Sequence, residues 1–154
     1  MRWLDISTEN CSIQRTLDLV GEKWTLLVLR EAANGVRRFQ DFHDHVGISR
    51  PLLADRLRKL VAAGVLEIRP YREEGQRARH EYRLTRKGWD LHPTLVALMQ
   101  WGDAYLADPE GPSVRLTHEV CGHEVRVTMT CACGDHQPGH PDVAVEPGPA
   151  VKRR

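Results

Sequence analysis

Four side chains late in the sequence have the types and spacing of a zinc site. His118 and Cys121 are separated by two residues, Cys131 and Cys133 by one, and each pair is followed by glycine. Thiolate sulfur and imidazole nitrogen are the usual ligands of structural zinc, and a set of four leaves no coordination position open for catalysis. We therefore predict a tetrahedral structural site that holds together a segment too short to form its own core. A hairpin with reduced, metal-free thiols is the alternative.

Cationic side chains are concentrated in an earlier part of the chain. Residues 50–90 contain eleven Lys and Arg against six Asp and Glu, whereas residues 109–154 contain five against six. The net charge of the whole chain is only +1, so the excess is a local property. A local basic surface attracts phosphate, which makes nucleic acid a candidate partner of residues 50–90. Solvated surface arginine is the alternative explanation.

Apolar periodicity predicts the elements that position these cations. Ser49 is a typical N-cap, and Pro51 suits the first turn of a helix because its missing N–H costs nothing there. Two alternating segments are typical of strands, joined by a turn that contains Arg77. Pro93 should kink the last helix or mark an early break in it. The predicted helices span residues 12–20, 23–33, 39–46, 50–63 and 86–107, and the predicted strands span 65–71 and 80–85.

Two short helices joined by a glycine turn, followed by a hairpin and another helix, have the element order of a winged helix-turn-helix. The fold class that we predict is mainly α with a small β wing, an α+β fold. An α-helix fits the major groove, where its first residues reach base edges while flanking cations hold phosphates. An arginine-bearing hairpin adds a second contact with double-stranded DNA. The cations that we expect at this interface are Arg50, Arg56, Arg58, Lys59, Arg77 and Arg79.

Four stretches carry a more specific pattern, with marks that include Lys23-Trp24, Arg38-Phe39, Ile48-Ser49 and Lys87-Gly88 within residues 11–42, 47–71, 81–95 and 99–103. In these stretches the chain resembles the HxlR family of bacterial transcription regulators, which are relatives of the MarR type. The resemblance implies a homodimer that binds an operator of two half-sites, about one helical turn or a multiple apart, and represses or activates adjacent genes. Repression by occlusion is the simplest outcome for a compact domain with no activation surface. It places Ser49, Arg50, Pro51 and Ala54 at bases, Arg56 at a phosphate and Arg77 at the wing tip.

The resemblance also concerns Cys11, because some family members sense oxidants, quinones or aldehydes through a thiol at this position. A sensor thiol must be partly ionised and accessible. Cys11 lies at the start of a predicted helix, where the helix dipole favours the thiolate, although Glu9 opposes it. No second cysteine is near in sequence, so a disulfide across the dimer is the simplest product. A small apolar residue packed at the dimer seam is the alternative.

Composition divides the chain into three predicted parts. Residues 1–108 hold the winged helix-turn-helix and its flanking dimerisation helices, 109–136 form a Cys/His β-hairpin extension, and 137–154 are a Pro- and Gly-rich tail that we expect to be flexible. The helix at 86–107 has more large apolar residues than so small a domain covers easily, which favours a dimer. The alternative is that the flanking helices fold onto their own core.

Other classes of function find less support in the sequence. No G-x-S-x-G, H-E-x-x-H or Gly-rich phosphate-binding motif occurs, so we predict that the protein is not an enzyme. No apolar stretch approaches the roughly 18 residues of a membrane helix, and MRWLDISTEN lacks the apolar centre of a signal peptide. We therefore expect a cytoplasmic, nucleoid-associated protein. A winged helix that binds only protein is the competing function, and the salt dependence of duplex binding distinguishes the two.

Overall fold

The computed structural model describes residues 2–72, 79–134 and 142–153. The chain divides into two compact units, one formed by Met1–His92 with Ala150–Arg154 and the other by Pro93–Pro149. The first unit begins with a short 3₁₀ helix, Trp3–Asp5. The elements that follow are α1 (Ser12–Val20), α2 (Lys23–Ala33), α3 (Phe39–Val46), α4 (Arg50–Ala62), β1 (Leu66–Tyr71), β2 (Arg79–Leu84), α5 (Arg86–Trp89) and α6 (His92–Tyr105).

Helices α2, α3 and α4 enclose the core of the first unit. Apolar residues recur every three or four positions on each helix, so each presents one apolar face to the others. Gly47 has a φ of +73°, and this left-handed conformation, which glycine adopts without strain, turns the chain from α3 into α4. The largest of the fully buried side chains are Val28, Leu29, Phe42, Leu53, Leu57, Leu60, Val65 and Leu66.

Strands β1 and β2 form the expected hairpin. They pair antiparallel in a register that runs from Leu66 opposite Leu84 to Tyr71 opposite Arg79. The stretch before α3 lies along the other edge of β2, where Tyr82 N–H donates to the Arg37 carbonyl at 2.8 Å. The predicted turn, with Arg77, lies outside the described residues. A helix-turn-helix followed by this hairpin confirms the winged architecture.

The predicted helix 86–107 is broken into two. Helix α5 ends at Trp89 and α6 begins at His92, so Pro93 lies in the first turn of α6, where a proline is tolerated. The early break expected from Pro93 is therefore confirmed. Thr85 caps α5, since its hydroxyl accepts from the Gly88 N–H at 3.2 Å. A Cβ at Gly88 would collide with the Val65 carbonyl oxygen, so this close approach requires glycine.

The second unit contains most of α6 and the extension that follows it. The Gln100 side chain on α6 donates to the Val125 carbonyl at 3.0 Å and accepts from the Val127 N–H at 3.0 Å. The extension turns back on itself with one antiparallel bridge, between Thr117 and Glu124. No residue from 113 to 134 is buried, so the extension has no apolar core of its own.

The described end of the tail lies against the start of the chain. Ser7 N–H donates to the Lys152 carbonyl at 2.9 Å, and the Asn10 amide donates to the Ala150 carbonyl at 2.6 Å. Lys152 also pairs with Glu9 at 3.3 Å. These contacts belong to the first unit, and the flexibility of residues 137–154 as a whole stays a prediction. In the described ranges no helix is long and apolar enough to cross a membrane.

Candidate nucleic-acid interface

Helix α4 has one buried side and one exposed side. Leu53, Leu57 and Leu60 are at most 1% exposed and fix the rotation of the helix about its axis. That rotation turns nearly all the predicted DNA contacts of this helix toward solvent. The exposed ones, with the preceding N-cap, are Ser49, Arg50, Pro51, Ala54, Arg58 and Lys59. The structure therefore brings these six residues together on one continuous surface, and their contact with DNA stays a prediction.

Ser49 occupies the N-cap position of α4 as expected, but its side chain makes no capping hydrogen bond. The Ser49 carbonyl accepts from Leu53 N–H at 3.0 Å, so the first turn closes through the backbone. The Ser49 hydroxyl lies at the exposed start of the helix. A serine here can donate to or accept from a base edge or a phosphate.

Helix α3 holds Arg50 in place at the start of α4. The Arg50 guanidinium donates to the Gln40 side-chain carbonyl and lies over the Phe39 ring, 5.8 Å from its centroid. Gln40 in turn donates to Asp44 at 2.5 Å. Hydrogen bonds from His43 and Gln40 hold the pKa of Asp44 below its ordinary value. Gln40 was not among the predicted site residues, although its spacing of four from Asp44 on a helix indicates a contact between the two side chains.

Asp55 lies among the cations of α4. Lys59 pairs with it at 3.0 Å and Arg58 also contacts it. The hydrogen bond from Lys59 is the main reason that the pKa of Asp55 lies below its ordinary value. With four cations and this one carboxylate, α4 carries a net charge of +3 (4 − 1). Asp55 therefore reduces the positive potential of the helix and holds Arg58 and Lys59 near the helix surface.

Arg56 differs from the other cations of α4 because its side chain is only 13% exposed. It forms an ion pair with Glu22, the N-cap residue of α2, and lies 3.5 Å from Asp55. This geometry connects α4 to the start of α2. The pair with Glu22 was not predictable from the sequence, because the two residues are far apart in the chain. The predicted phosphate contact of Arg56 stays a prediction beside this structural role.

The hairpin carries further cations. Arg79 is exposed at the described end of β2. Arg69 and Arg83, which were not among the predicted contacts, are half exposed and pair with Glu67 at 2.7 Å and Glu81 at 2.6 Å. Their charges are compensated, so Arg79 is the described hairpin cation best suited to phosphate.

The predicted zinc and redox residues lie apart from this surface in sequence. Cys11 is half-buried at the N-cap of α1. His118 Nδ1 lies 3.1 Å from Cys121 Sγ. Within the described ranges, which include all four predicted ligands, no three His, Cys, Asp or Glu side chains are close enough together to hold a metal ion. None of the four cysteines forms a disulfide. Zinc binding stays a prediction.

The second helix of the helix-turn-helix, α4, is exposed and cationic. This arrangement is typical of winged-helix transcription regulators. The family described as HxlR-like helix-turn-helix matches residues 19–110. The chain belongs to this family, as the sequence resemblance predicted.

Related sequences agree with this membership. The chain is 48% identical over 147 residues to Rv3095 of Mycobacterium tuberculosis strain H37Rv, covering 95% of this chain and 91% of that protein. It is 36% identical over 110 residues to sll1512 of a Synechocystis strain, covering 71% of this chain and 80% of that protein. Both relatives are named as HTH-type transcriptional regulators.

Solved structures agree as well. The crystal structure of PA1607 superposes with a TM-score of 0.80 at 36% identity, covering 90% of this chain and 95% of the other. The redox regulator HypR in its reduced form superposes with a TM-score of 0.54 at 29% identity, covering 60% and 90%. The higher score of PA1607 comes with coverage of nearly the whole chain.

Proposed function

We propose that this transcription regulator acts as a homodimer that represses adjacent genes by occupying an operator of two half-sites. The observation that carries the proposal is the exposed side of α4, where Ser49, Arg50, Pro51 and Ala54 point away from the core. A helix presented in this way fits the major groove with its first residues at base edges. The proposal assigns no enzymatic activity and places the protein in the cytoplasm, at the chromosomal DNA it binds.

Each part of the interface has its own role. Arg50 is the main candidate for direct recognition, because arginine pairs with guanine through two hydrogen bonds and Gln40 and Phe39 already orient it. Arg58, Lys59 and Arg79 provide phosphate contacts that are independent of sequence. Arg77 belongs to the same proposal through its position between the strands, although it lies outside the described residues.

Two exposed apolar surfaces support the homodimer. A soluble domain gains free energy when such side chains are covered, and a second copy of the chain is the simplest cover. The first unit exposes Trp3, Leu4, Ile13 and Leu17, which are 56–73% exposed. The second unit exposes Leu98, Trp101, Tyr105 and Leu106, which are 52–72% exposed. In a dimer, two copies of α4 would read half-sites about 34–36 Å apart, or a multiple of that spacing.

The signal that we propose is oxidative. Cys11 is half-buried at the N-cap of α1, a position where the positive end of the helix favours a thiolate. One structural neighbour, HypR, is a redox regulator. Two Cys11 thiols of a dimer would lose two protons and two electrons to an oxidant such as a peroxide, quinone or diamide, and form one disulfide. A small-molecule effector that binds without oxidation is the other form of this signal.

The test begins with selection of bound fragments from a genomic library, followed by fluorescence anisotropy on the selected duplex. Arg58→Ala should weaken binding and lower the salt slope by about one. The matched control is Arg126→Ala, an exposed arginine of the extension that pairs with Glu124 at 2.7 Å, and it should leave binding unchanged.

Two results would count against the proposal. Failure to select any duplex would favour the alternative, a winged helix that docks on protein through an apolar surface. Binding to DNA that does not weaken with salt would contradict phosphate contacts, because release of condensed counterions makes such binding steeply salt-dependent.

A further inference from the structure

The extension of the second unit contains well-defined turns but lacks the burial that normally holds such turns in place. Residues 113–134 include no buried side chain, and Val120 and Met129 are 87% and 60% exposed. Gln100 holds two backbone groups of the extension, and local backbone hydrogen bonds hold others, such as the one from Val125 N–H to the Leu116 carbonyl at 2.9 Å. Segments of this size without a core depend on disulfides or metals for stability, and none of the cysteines is in a disulfide.

The first turn of the extension places two potential zinc ligands side by side. Gly122 N–H donates to the His118 carbonyl at 2.8 Å, and Gly122 has a φ of +70°. Together with the bridge between Thr117 and Glu124, this turn brings His118 Nδ1 to 3.1 Å from Cys121 Sγ. Two ligands of a tetrahedral zinc ion lie about 3.5 Å apart, given Zn–S of about 2.3 Å and Zn–N of about 2.0 Å. This pair is therefore near the separation that shared coordination requires.

A second turn, one residue shorter, also ends in a glycine. Gly134 N–H donates to the Cys131 carbonyl at 2.9 Å, and Gly134 has a φ of +79°. Cys131 and Cys133 therefore sit on a tight turn that ends in a left-handed glycine, as His118 and Cys121 do. All of these side chains are exposed, so they are accessible to an ion from solvent.

We propose that the extension binds one zinc ion through His118, Cys121, Cys131 and Cys133. The two turns are separate in the described structure, where no three potential ligands are clustered, so binding must draw the second turn onto the first. The imidazole enters neutral and each of the three thiols loses its proton to the solvent, so binding weakens as pH falls. The ion replaces a core in the extension, and this role is independent of DNA binding by α4.

The ligand chemistry favours zinc over other divalent ions. Three thiolates and one imidazole form a soft set, which magnesium and calcium avoid because they require oxygen ligands. With four protein ligands the coordination sphere of zinc is complete, so the site is closed and structural.

The test uses the full chain, stripped with a chelator under reducing conditions and then titrated with Zn²⁺ or Co²⁺. Native mass spectrometry should show one zinc per chain. The cobalt form should show thiolate-to-metal charge-transfer absorption and the visible bands of tetrahedral Co²⁺. Zinc should also protect the peptide bonds around residues 131–134 from limited proteolysis, which reports directly on the union of the two turns.

Matched variants identify the ligands. Cys121→Ser and Cys133→Ser should each lower the affinity for Co²⁺ by at least tenfold, whereas Cys11→Ser, which alters the cysteine outside the extension, should not change it. His118→Ala should weaken binding and His123→Ala should not. Circular dichroism of each variant should retain the helical signal of the first unit, so loss of metal cannot be attributed to unfolding.

Three results would overturn the proposal. The first is absence of bound zinc and of the cobalt spectrum at metal concentrations well above the protein. The second is metal binding that survives Cys121→Ser and Cys133→Ser together. The third is a disulfide among Cys121, Cys131 and Cys133 in protein purified without oxidant, because thiols joined in this way cannot coordinate zinc. Each result leaves DNA binding by α4 unaffected, so failure here and failure of the regulator proposal are distinguishable.

Discussion

The outer side of α4 and the extension both display chemically capable side chains at the surface, but they are supported in different ways. Leu53, Leu57 and Leu60 anchor α4 in a core, and neighbouring residues orient the cations that face solvent. The extension has no core and is clamped to α6 by one glutamine side chain. Folding alone fixes the outer side of α4, whereas the predicted metal ligands of the extension lie on two separate turns. Ligand binding should therefore change the conformation of the extension far more than that of α4.

The largest effect is expected in the core beneath α4. Leu53→Ala removes a fully buried side chain and should lower the free energy of unfolding by about 2–5 kcal/mol. Val120→Ala, in the exposed extension, should change it by less than about 0.5 kcal/mol. Urea denaturation followed by circular dichroism measures both. Equal losses from the two substitutions would contradict the contrast in support.

The next effect concerns recognition. Arg50→Ala should weaken operator binding by about 1–3 kcal/mol, or roughly 5- to 150-fold in Kd, because a bidentate base contact is lost. Gln40→Ala should cause a smaller loss in the same direction, since it removes the partner that orients Arg50. Anisotropy on the selected operator and on an unrelated duplex separates the two kinds of contact. If Arg50→Ala weakens both duplexes equally, Arg50 contacts phosphate instead of a base.

Arg56 should behave differently from its neighbour Arg58. Removal of the partly buried Arg56 breaks its pair with Glu22, so Arg56→Ala should reduce stability by about 1–2 kcal/mol. Arg58→Ala, at the exposed surface, should leave stability within about 0.5 kcal/mol. A double-mutant cycle with Glu22→Gln should give a coupling energy of about 1 kcal/mol. A coupling energy of zero would show that the pair between α2 and α4 contributes nothing.

Asp55 should produce the smallest effect. Asp55→Asn removes the carboxylate that holds Lys59 and Arg58, so DNA binding should become a few-fold tighter with a steeper dependence on salt. Because the folded-state pKa of Asp55 is lowered, its stabilising contribution is present above the unfolded value of about 3.9 and is lost as pH falls through the folded-state value. The thermal unfolding temperature between pH 2 and 6 should therefore depend slightly less on pH in the variant than in the unmodified protein. Weaker binding by Asp55→Asn would instead indicate that Asp55 itself contacts a base.

Local features of the fold were predictable from the sequence, and long-range partnerships were not. Glycine turns, the apolar spacing of α4 and Pro93 act within a few residues, so they indicated the helix-turn-helix and the break before α6. The pair of Arg56 with Glu22 and the clamp by Gln100 join residues that only the folded backbone brings together. For the same reason, all the cations of α4 were predicted to contact DNA, although the side chain of one of them, Arg56, is only 13% exposed.

The two hydrogen bonds of the Gln100 side chain also fix how the extension is aligned along α6. The side-chain carbonyl of Gln100 accepts from the Val127 N–H and its NH₂ group donates to the Val125 carbonyl, so the amide pairs with the extension as a backbone peptide group would. A slip of the extension by one residue would move the Val125 carbonyl and the Val127 N–H away from the Gln100 amide, so both hydrogen bonds would be lost. One side chain on α6 therefore determines which residues of the extension lie beside the helix. An ionised Glu in its place could accept from the Val127 N–H but could not donate to the Val125 carbonyl.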